Sequence, residues 1–128
     1  MASYLLDTNV IIDVLNGKRG RRDFLLNLVR QGHLLACCPI NVTEVYAGVR
    51  PQEEEATEEF LRSLEYCALT WPVARLAGLL KRDYGRKGTT LTVADTTIAA
   101  VALIYELTLM TDNVKDFPMS NLALYPLP

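Results

Sequence analysis

The sequence predicts an α/β fold, a three-layer α/β/α sandwich around a mainly parallel central sheet. Three observations carry this. Short apolar runs alternate with segments of helical periodicity along the chain. The run Leu34-Leu35-Ala36-Cys37-Cys38 is apolar without interruption, as a strand buried on both faces must be. Finally, residues able to cap a helix follow the first strand and precede the last helix. In such folds ligands sit beyond the carboxyl ends of the strands, so chemistry is sought there.

Tyr4-Leu5-Leu6 reads as the first strand, closed by Asp7-Thr8-Asn9, whose side chains suit a strand-to-helix turn and cap a helix over 10–15. Asn16-Gly17 stops that helix. The basic stretch Lys18-Arg19-Gly20-Arg21-Arg22 follows, and Phe24, Leu25, Leu28 and Val29 then repeat at helical spacing up to Gln31-Gly32. Residues 34–38, bounded by Pro39, make the second strand. A short helical pattern over 43–48 and a strongly acidic amphipathic helix over 53–64, with Phe60, Leu61 and Leu64 inward, form a helical hairpin. Residues 66–70 are the third strand, and Pro72 opens a helix with Val73, Leu76, Ala77, Leu79 and Leu80 facing the core. After the loop Gly88-Thr89-Thr90, Thr92 caps a helix over 93–105, and 107–110 is the fourth strand. The tail over 112–128 is loop, with Ala123-Leu124 as an edge strand.

The 128 residues fit one domain over 1–128, without internal repeat or linker. Half are hydrophobic and 22% are charged, which excludes a disordered or low-complexity chain. Thirteen basic against fifteen acidic residues exclude a generally polycationic nucleic-acid binder. Nucleic-acid contact then needs a local basic patch, or a metal that neutralises acidic groups. Asp7 and Asp13 interrupt the first apolar run and no basic leader precedes it, so a secretory signal is not expected and the cytoplasm is. The longest apolar stretch, 98–105, falls short of the roughly 20 residues of a membrane span. Cys37, Cys38 and Cys67 show no C-x-x-C spacing and read as buried reduced thiols. His33 is the only histidine, which excludes a two-histidine acid–base ribonuclease; it reads as a surface loop residue.

Asp7 follows the first strand, Glu44 the second, Asp112 and Asp116 the fourth, and Asp95 lies at a helix start, so several acids can converge on one edge of the sheet. Clustered carboxylates suit hard cations such as Mg²⁺ and Mn²⁺; without a cation they repel and raise one another's pKa values. Taken singly, each has an ordinary use. Asp7 and Asn9 serve as helix caps, Asp95 completes a T-x-x-D helix start after Thr92, Glu44 is a solvated helix residue, and Asp112 and Asp116 are turn formers.

Four ordered segments, Leu5-Leu6-Asp7-Thr8-Asn9-Val10-Ile11-Ile12, Val42-Thr43-Glu44-Val45-Tyr46-Ala47-Gly48, Thr92-Val93-Ala94-Asp95-Thr96-Thr97-Ile98-Ala99 and Leu109-Met110-Thr111-Asp112-Asn113-Val114-Lys115-Asp116-Phe117, resemble the motifs of PIN-domain ribonucleases. Among these they are most similar to the VapC toxins of type II toxin–antitoxin modules. The resemblance covers essentially the whole chain. It implies a metal-dependent endoribonuclease that cuts a transfer or ribosomal RNA and inhibits translation. Asp7, Glu44 and Asp95 match the first three acidic positions and hold Mg²⁺ or Mn²⁺. For the fourth, the T-x-N-x-x-D-F form of Thr111, Asn113, Asp116 and Phe117 ranks Asp116 above Asp112, an extra carboxylate able to substitute or assist. Thr8, Asn9, Thr96, Thr111 and Asn113 are supporting polar groups. Lys18, Arg19, Arg21 and Arg22, and a second cluster of Arg82, Arg86 and Lys87, are candidates to guide RNA phosphates, or else solvated charge runs. The resemblance further implies a homodimer and a cognate VapB-type antitoxin.

Two other classes fit the sequence less well. A receiver-type signalling domain needs an acidic pair after the first strand, an acceptor Asp after the third and a Lys after the fifth, and a haloacid-dehalogenase-type phosphotransferase needs D-x-D after the first, whereas Asp7-Thr8-Asn9 and Thr70-Trp71-Pro72 stand there. A non-catalytic binding protein of PIN fold would be marked by lost acids, and all are present.

Overall fold

The computed structural model describes residues 1–125 and 127. Strands β1 (Ser3–Leu6), β2 (Leu34–Cys37), β3 (Glu65–Tyr66), β4 (Thr108–Met110) and β5 (Leu124–Tyr125) form one sheet in the order β3-β2-β1-β4-β5, with every pair parallel. The helices are α1 (Thr8–Leu15), α2 (Arg21–Arg30), α3 (Pro39–Ala47), α4 (Glu54–Arg62), α5 (Trp71–Arg86) and α6 (Val93–Ile104), with short 3-10 turns at Pro51–Glu53 and Val114–Asp116.

Side-chain alternation along the strands builds two cores. Leu5 pairs in register with Ala36 and Leu109, and this row packs on Val73 and Ala77 of α5 and Ile98 and Val101 of α6. The alternate row, Leu6, Leu35, Cys37 and Met110, packs on Val10 and Ile11 of α1, Leu25 and Leu28 of α2 and Leu61 of α4. Burial on both faces is why the strands read as continuous apolar runs, and each fully buried aliphatic side chain contributes roughly 1.5–3 kcal/mol. Helix α3 belongs to both layers, with Val45 in one core and Ile40 against the other, and it contacts α1 and α6. The order of strands reverses beside β1, because the chain leaves β1 toward β2 and returns to β4 on its other side. Residues at the carboxyl ends of β1 and β4 therefore share the crevice of the sheet.

Several boundaries differ from the sequence expectation. α1 begins at Thr8 because Asp7 is its cap and accepts the Thr8 N–H. α3 begins at Pro39, well before residue 43, since proline's fixed φ suits a first helical turn. β3 is only two residues long; the Cys67 N–H still reaches the Cys37 carbonyl at 2.8 Å, after which the chain leaves the sheet for the Thr70 cap of α5. The edge strand is Leu124–Tyr125, and residues 126 and 128 of the expected loop tail lie outside the described residues. His33 is not a free loop side chain: it is half-buried, its Nδ1 accepts the Ala2 N–H at 3.0 Å and its ring meets the Tyr4 ring edge-on, which ties down the start of β1. All three cysteines are free and buried, and burial pushes the Cys37 thiol up to about 11, away from the reactive thiolate. No described helix is long and apolar enough to cross a membrane.

Candidate active site

Asp7 terminates the central strand. Its N–H bonds the Met110 carbonyl at 2.9 Å, which joins the ends of β1 and β4, and its extended backbone makes it the N-cap of α1. Oδ1 accepts the Thr8 N–H at 2.8 Å and Oδ2 accepts the Thr111 hydroxyl at 2.7 Å. The residue is 6% exposed. The cap use and the site use thus coexist in one carboxylate: each oxygen has one donor and retains lone-pair capacity for another partner.

Glu44 is reached through a short relay. The buried Asn41 accepts the Cys38 N–H at 2.8 Å through Oδ1 and donates through Nδ2 to Thr8 Oγ1 at 3.1 Å. The Thr8 hydroxyl, with one lone pair so occupied, turns its proton to Glu44 Oε1 at 2.6 Å. Asn41, fully buried, went unnoticed in the sequence reading. Its signal was positional: an amide three residues after a helix cap can return to the cap's own N–H. Asn41→Ala would strand the Cys38 N–H and remove the Thr8 partner without water access. We expect a loss of roughly 1–3 kcal/mol in urea or thermal unfolding, and an unchanged midpoint would refute the relay.

Asp95 lies in the first turn of α6, half-buried, where Thr92 Oγ1 accepts its N–H at 3.0 Å. Asp116, also half-buried, ends the 3-10 turn after β4, with its N–H on the Asn113 carbonyl at 2.9 Å. Electrostatics link the acids. Burial lifts the Asp7 carboxyl above its ordinary range; the Thr111 hydroxyl and Thr8 N–H oppose this, and repulsion from Glu44 and Asp116 adds to it. Burial likewise lifts Asp95, opposed by the Thr92 hydroxyl and reinforced by repulsion from Asp116, Asp7 and Glu44. Asp7, Glu44, Asp95 and Asp116 therefore feel one another across the carboxyl edge of the sheet.

Asp112 is engaged elsewhere. Its Oδ1 accepts from Arg21 Nη2 at 2.8 Å and its Oδ2 from Arg19 Nη1 at 3.3 Å. Arg21 is only 2% exposed, so neither solvation nor phosphate contact describes it, while Lys18 and Arg22 are exposed. In the second basic cluster Arg82 pairs with Asp83, Lys87 lies over the Tyr84 ring and Arg86 is exposed. Tyr84 in turn donates to the Pro118 carbonyl at 3.3 Å, so this cluster borders the loop that carries Asp116. Of the supporting polar groups, Thr8 and Thr111 bond acids directly and the Asn113 N–H bonds Thr111 Oγ1. Asn9 is exposed, and Thr96 donates to the Val93 carbonyl of its own helix.

The donors at this edge are all carboxylate or hydroxyl oxygens, the chemistry of a hard divalent cation. Among the described residues, no three acidic, histidine or cysteine side chains stand close enough to form a ready-made cage. Mg²⁺ commonly takes one or two carboxylates and keeps its waters, so the donor set fits such an ion without a cage.

The PIN domain family matches residues 4–118, and the chain belongs to that family. Ribonuclease VapC19 of Mycobacterium tuberculosis is 33% identical over 115 residues, 90% of this chain and 92% of that protein. Ribonuclease VapC10 of the same organism is 34% identical over 115 residues, 90% of this chain and 86% of its own length. The crystal structure of VapBC2 from Rickettsia felis bound to a DNA fragment from their promoter shares the fold with a TM-score of 0.84 at 25% identity, covering 96% of this chain and 97% of that one. Within its family the chain is a VapC-type ribonuclease toxin, and the receiver and phosphotransfer readings fall away.

Proposed function

We propose that this toxin hydrolyses phosphodiester bonds in a specific transfer or ribosomal RNA, thereby stopping translation, with Mg²⁺ or Mn²⁺ held by Asp7, Asp95, Glu44 and Asp116. The observation that carries the reading is the placing of four carboxylates around the crevice where the sheet order reverses, Asp7 bonded to Thr111 and joined to Glu44 through Thr8, with burial lifting Asp7 and Asp95 above their ordinary range. Such an arrangement costs folding stability and is relieved by a cation. The ion supplies positive charge for phosphate oxygens and makes water a stronger nucleophile near neutral pH.

The chain's own groups set the geometry. Thr111 orients Asp7 Oδ2, and the Asn41–Thr8 pair directs a hydroxyl proton onto Glu44 Oε1, leaving Glu44 Oε2 free to accept. Asp95 is carried on a capped helix and Asp116 on a hydrogen-bonded turn. Lys18, Arg22 and Arg86 are exposed and enter no ion pair among the described residues, which leaves them available to RNA phosphates, contacts that position a substrate without reading its sequence. A VapB-type antitoxin as partner is supported by the toxin–antitoxin complexes among the structural neighbours. We further read the toxin as a cytoplasmic homodimer.

The deciding experiment incubates antitoxin-free protein with total cellular RNA in Mg²⁺, in Mn²⁺ or in chelator. Discrete cuts that vanish with chelator support the reading and identify the RNA. Folded protein that binds the metal yet cuts no cellular RNA would move the weight to a non-catalytic PIN-fold binding role.

A further inference from the structure

We propose that Arg21 is a positioning residue of the acidic site, acting through Asp112 to hold the loop that carries Thr111, Asn113 and Asp116. Arg21 opens α2, and its guanidinium is 2% exposed. Nη2 donates to Asp112 Oδ1 at 2.8 Å, and Nε lies 3.9 Å from Asp13 Oδ2. Neither Nε nor Nη1 makes a hydrogen bond among the described residues. A buried charge so incompletely satisfied is a poor stabiliser, and an apolar side chain of similar size would commonly serve a fold as well or better. Stability therefore does not account for Arg21, and its partner supplies a reason.

Asp112 lies between two residues of the site. Before it, Thr111 gives its proton to Asp7 Oδ2 and accepts the Asn113 N–H at 2.9 Å; beyond it, the Asn113 carbonyl accepts the Asp116 N–H. From 111 to 116 the loop is held by these two successive bonds, and its Asp112 side chain is fastened to the α1–α2 connection. That connection is folded tightly, with Gly17, Arg19 and Gly20 all at positive φ (+64°, +57° and +63°), and it brings Arg19 as well as Arg21 onto Asp112. The same pairing withdraws a fifth negative charge from a site where four already repel. Arg21 thus orients Thr111, and through it Asp7, while fixing the approach of Asp116.

The inference borrows one readout, metal affinity, from the proposed function; the other is independent of it. Arg21→Met, Asp112→Ala and the double variant are compared with wild type for Mn²⁺ binding and, in metal-free protein, for amide hydrogen exchange at Asn113 and Asp116. In the double variant Asp13 keeps Arg19 at 4.0 Å and neither member of the Arg21–Asp112 pair is left behind, so its melting temperature recovers to near that of wild type. Positioning predicts that Mn²⁺ affinity nevertheless stays about tenfold weaker. It also predicts about tenfold faster exchange at those two amides, with the amides of Leu5 and Leu109 unchanged, as local opening requires. A folded double variant with wild-type exchange at Asn113 and Asp116 overturns the inference, whatever the single variants do. Wild-type protein that binds no Mn²⁺ refutes the metal reading and leaves exchange to decide Arg21. If Arg21→Met does not fold, the double variant and Asp112→Ala carry the comparison.

Discussion

Asp7→Asn loses at least about a hundredfold in RNA cleavage, and without divalent metal it melts no lower than wild type. Both halves follow from its surroundings. Asn keeps an oxygen for the Thr8 N–H and is as good an N-cap as Asp, so α1 is undisturbed. What it removes is a buried negative charge facing Glu44 and Asp116, and its amide nitrogen takes the place of the oxygen on Thr111, whose hydroxyl turns to accept instead of donate. Because burial raises the folded pKa of Asp7 above its unfolded value, the folded state binds that proton more tightly. The resulting contribution to stability is fully present below the ordinary Asp range and is lost as pH rises through the raised value. At neutral pH wild-type protein bears that loss and the variant does not. The melting temperature of Asp7→Asn in chelator should therefore exceed or equal that of wild type at pH 7, and the gap should close as pH is lowered. With Mg²⁺ or Mn²⁺ the order reverses, since a ligand of the folded state raises the melting point of wild type by mass action. An equal metal-induced rise in both proteins would remove Asp7 from the ligand set.

Asp95→Asn abolishes cleavage to a similar extent while the protein stays folded. The start of α6 depends on Thr92, whose hydroxyl accepts the Asp95 backbone N–H, and the substitution leaves that N–H in place. The converse variant, Thr92→Ala, removes the cap and costs about 1 kcal/mol, a few degrees of melting temperature, and with the Asp95 carboxyl still present it loses far less cleavage than Asp95→Asn. Circular dichroism melts and a cleavage assay on the pair separate two uses of one helix turn. Should Asp95→Asn unfold while Thr92→Ala is inactive, the roles would be reversed and Asp95 would be the structural residue.

The layering of the fold was legible because it is written in local pattern. Apolar runs of three to five residues bounded by turn formers read as strands covered on both faces, and the helix stripes between them supply the covers, as the rows through Leu5 and Leu6 show. Three acids of the proposed site were placed by the same pattern: Asp7 caps α1 directly after β1, Glu44 stands in the helix after β2 and Asp95 in the first turn of α6. Element ends were less legible. The start of α3 at Pro39 depends on an amide returning to the Cys38 N–H, and β3 stops where Thr70 must begin a helix.

Asp112 and Asp116 show where pattern reading stopped. On paper they are two carboxylates in one loop, and the T-x-N-x-x-D-F form could rank them but not say what holds each. The fold gives Asp112 to Arg21, 91 residues away in sequence, and leaves the charge of Asp116 to act on Asp7 and Asp95. The basic run was equally opaque: Arg21 and Arg22 are adjacent and chemically alike, yet one is buried against an acid and the other is in water. Secondary structure and the choice of chemistry depend on neighbours within a turn or a strand, and the chain's own order encodes them. Which charge is neutralised, which hydroxyl gives its proton to Glu44 and which carboxylates share a crevice depend on side chains brought together across the sheet, and those partnerships exist once packing has closed the distance.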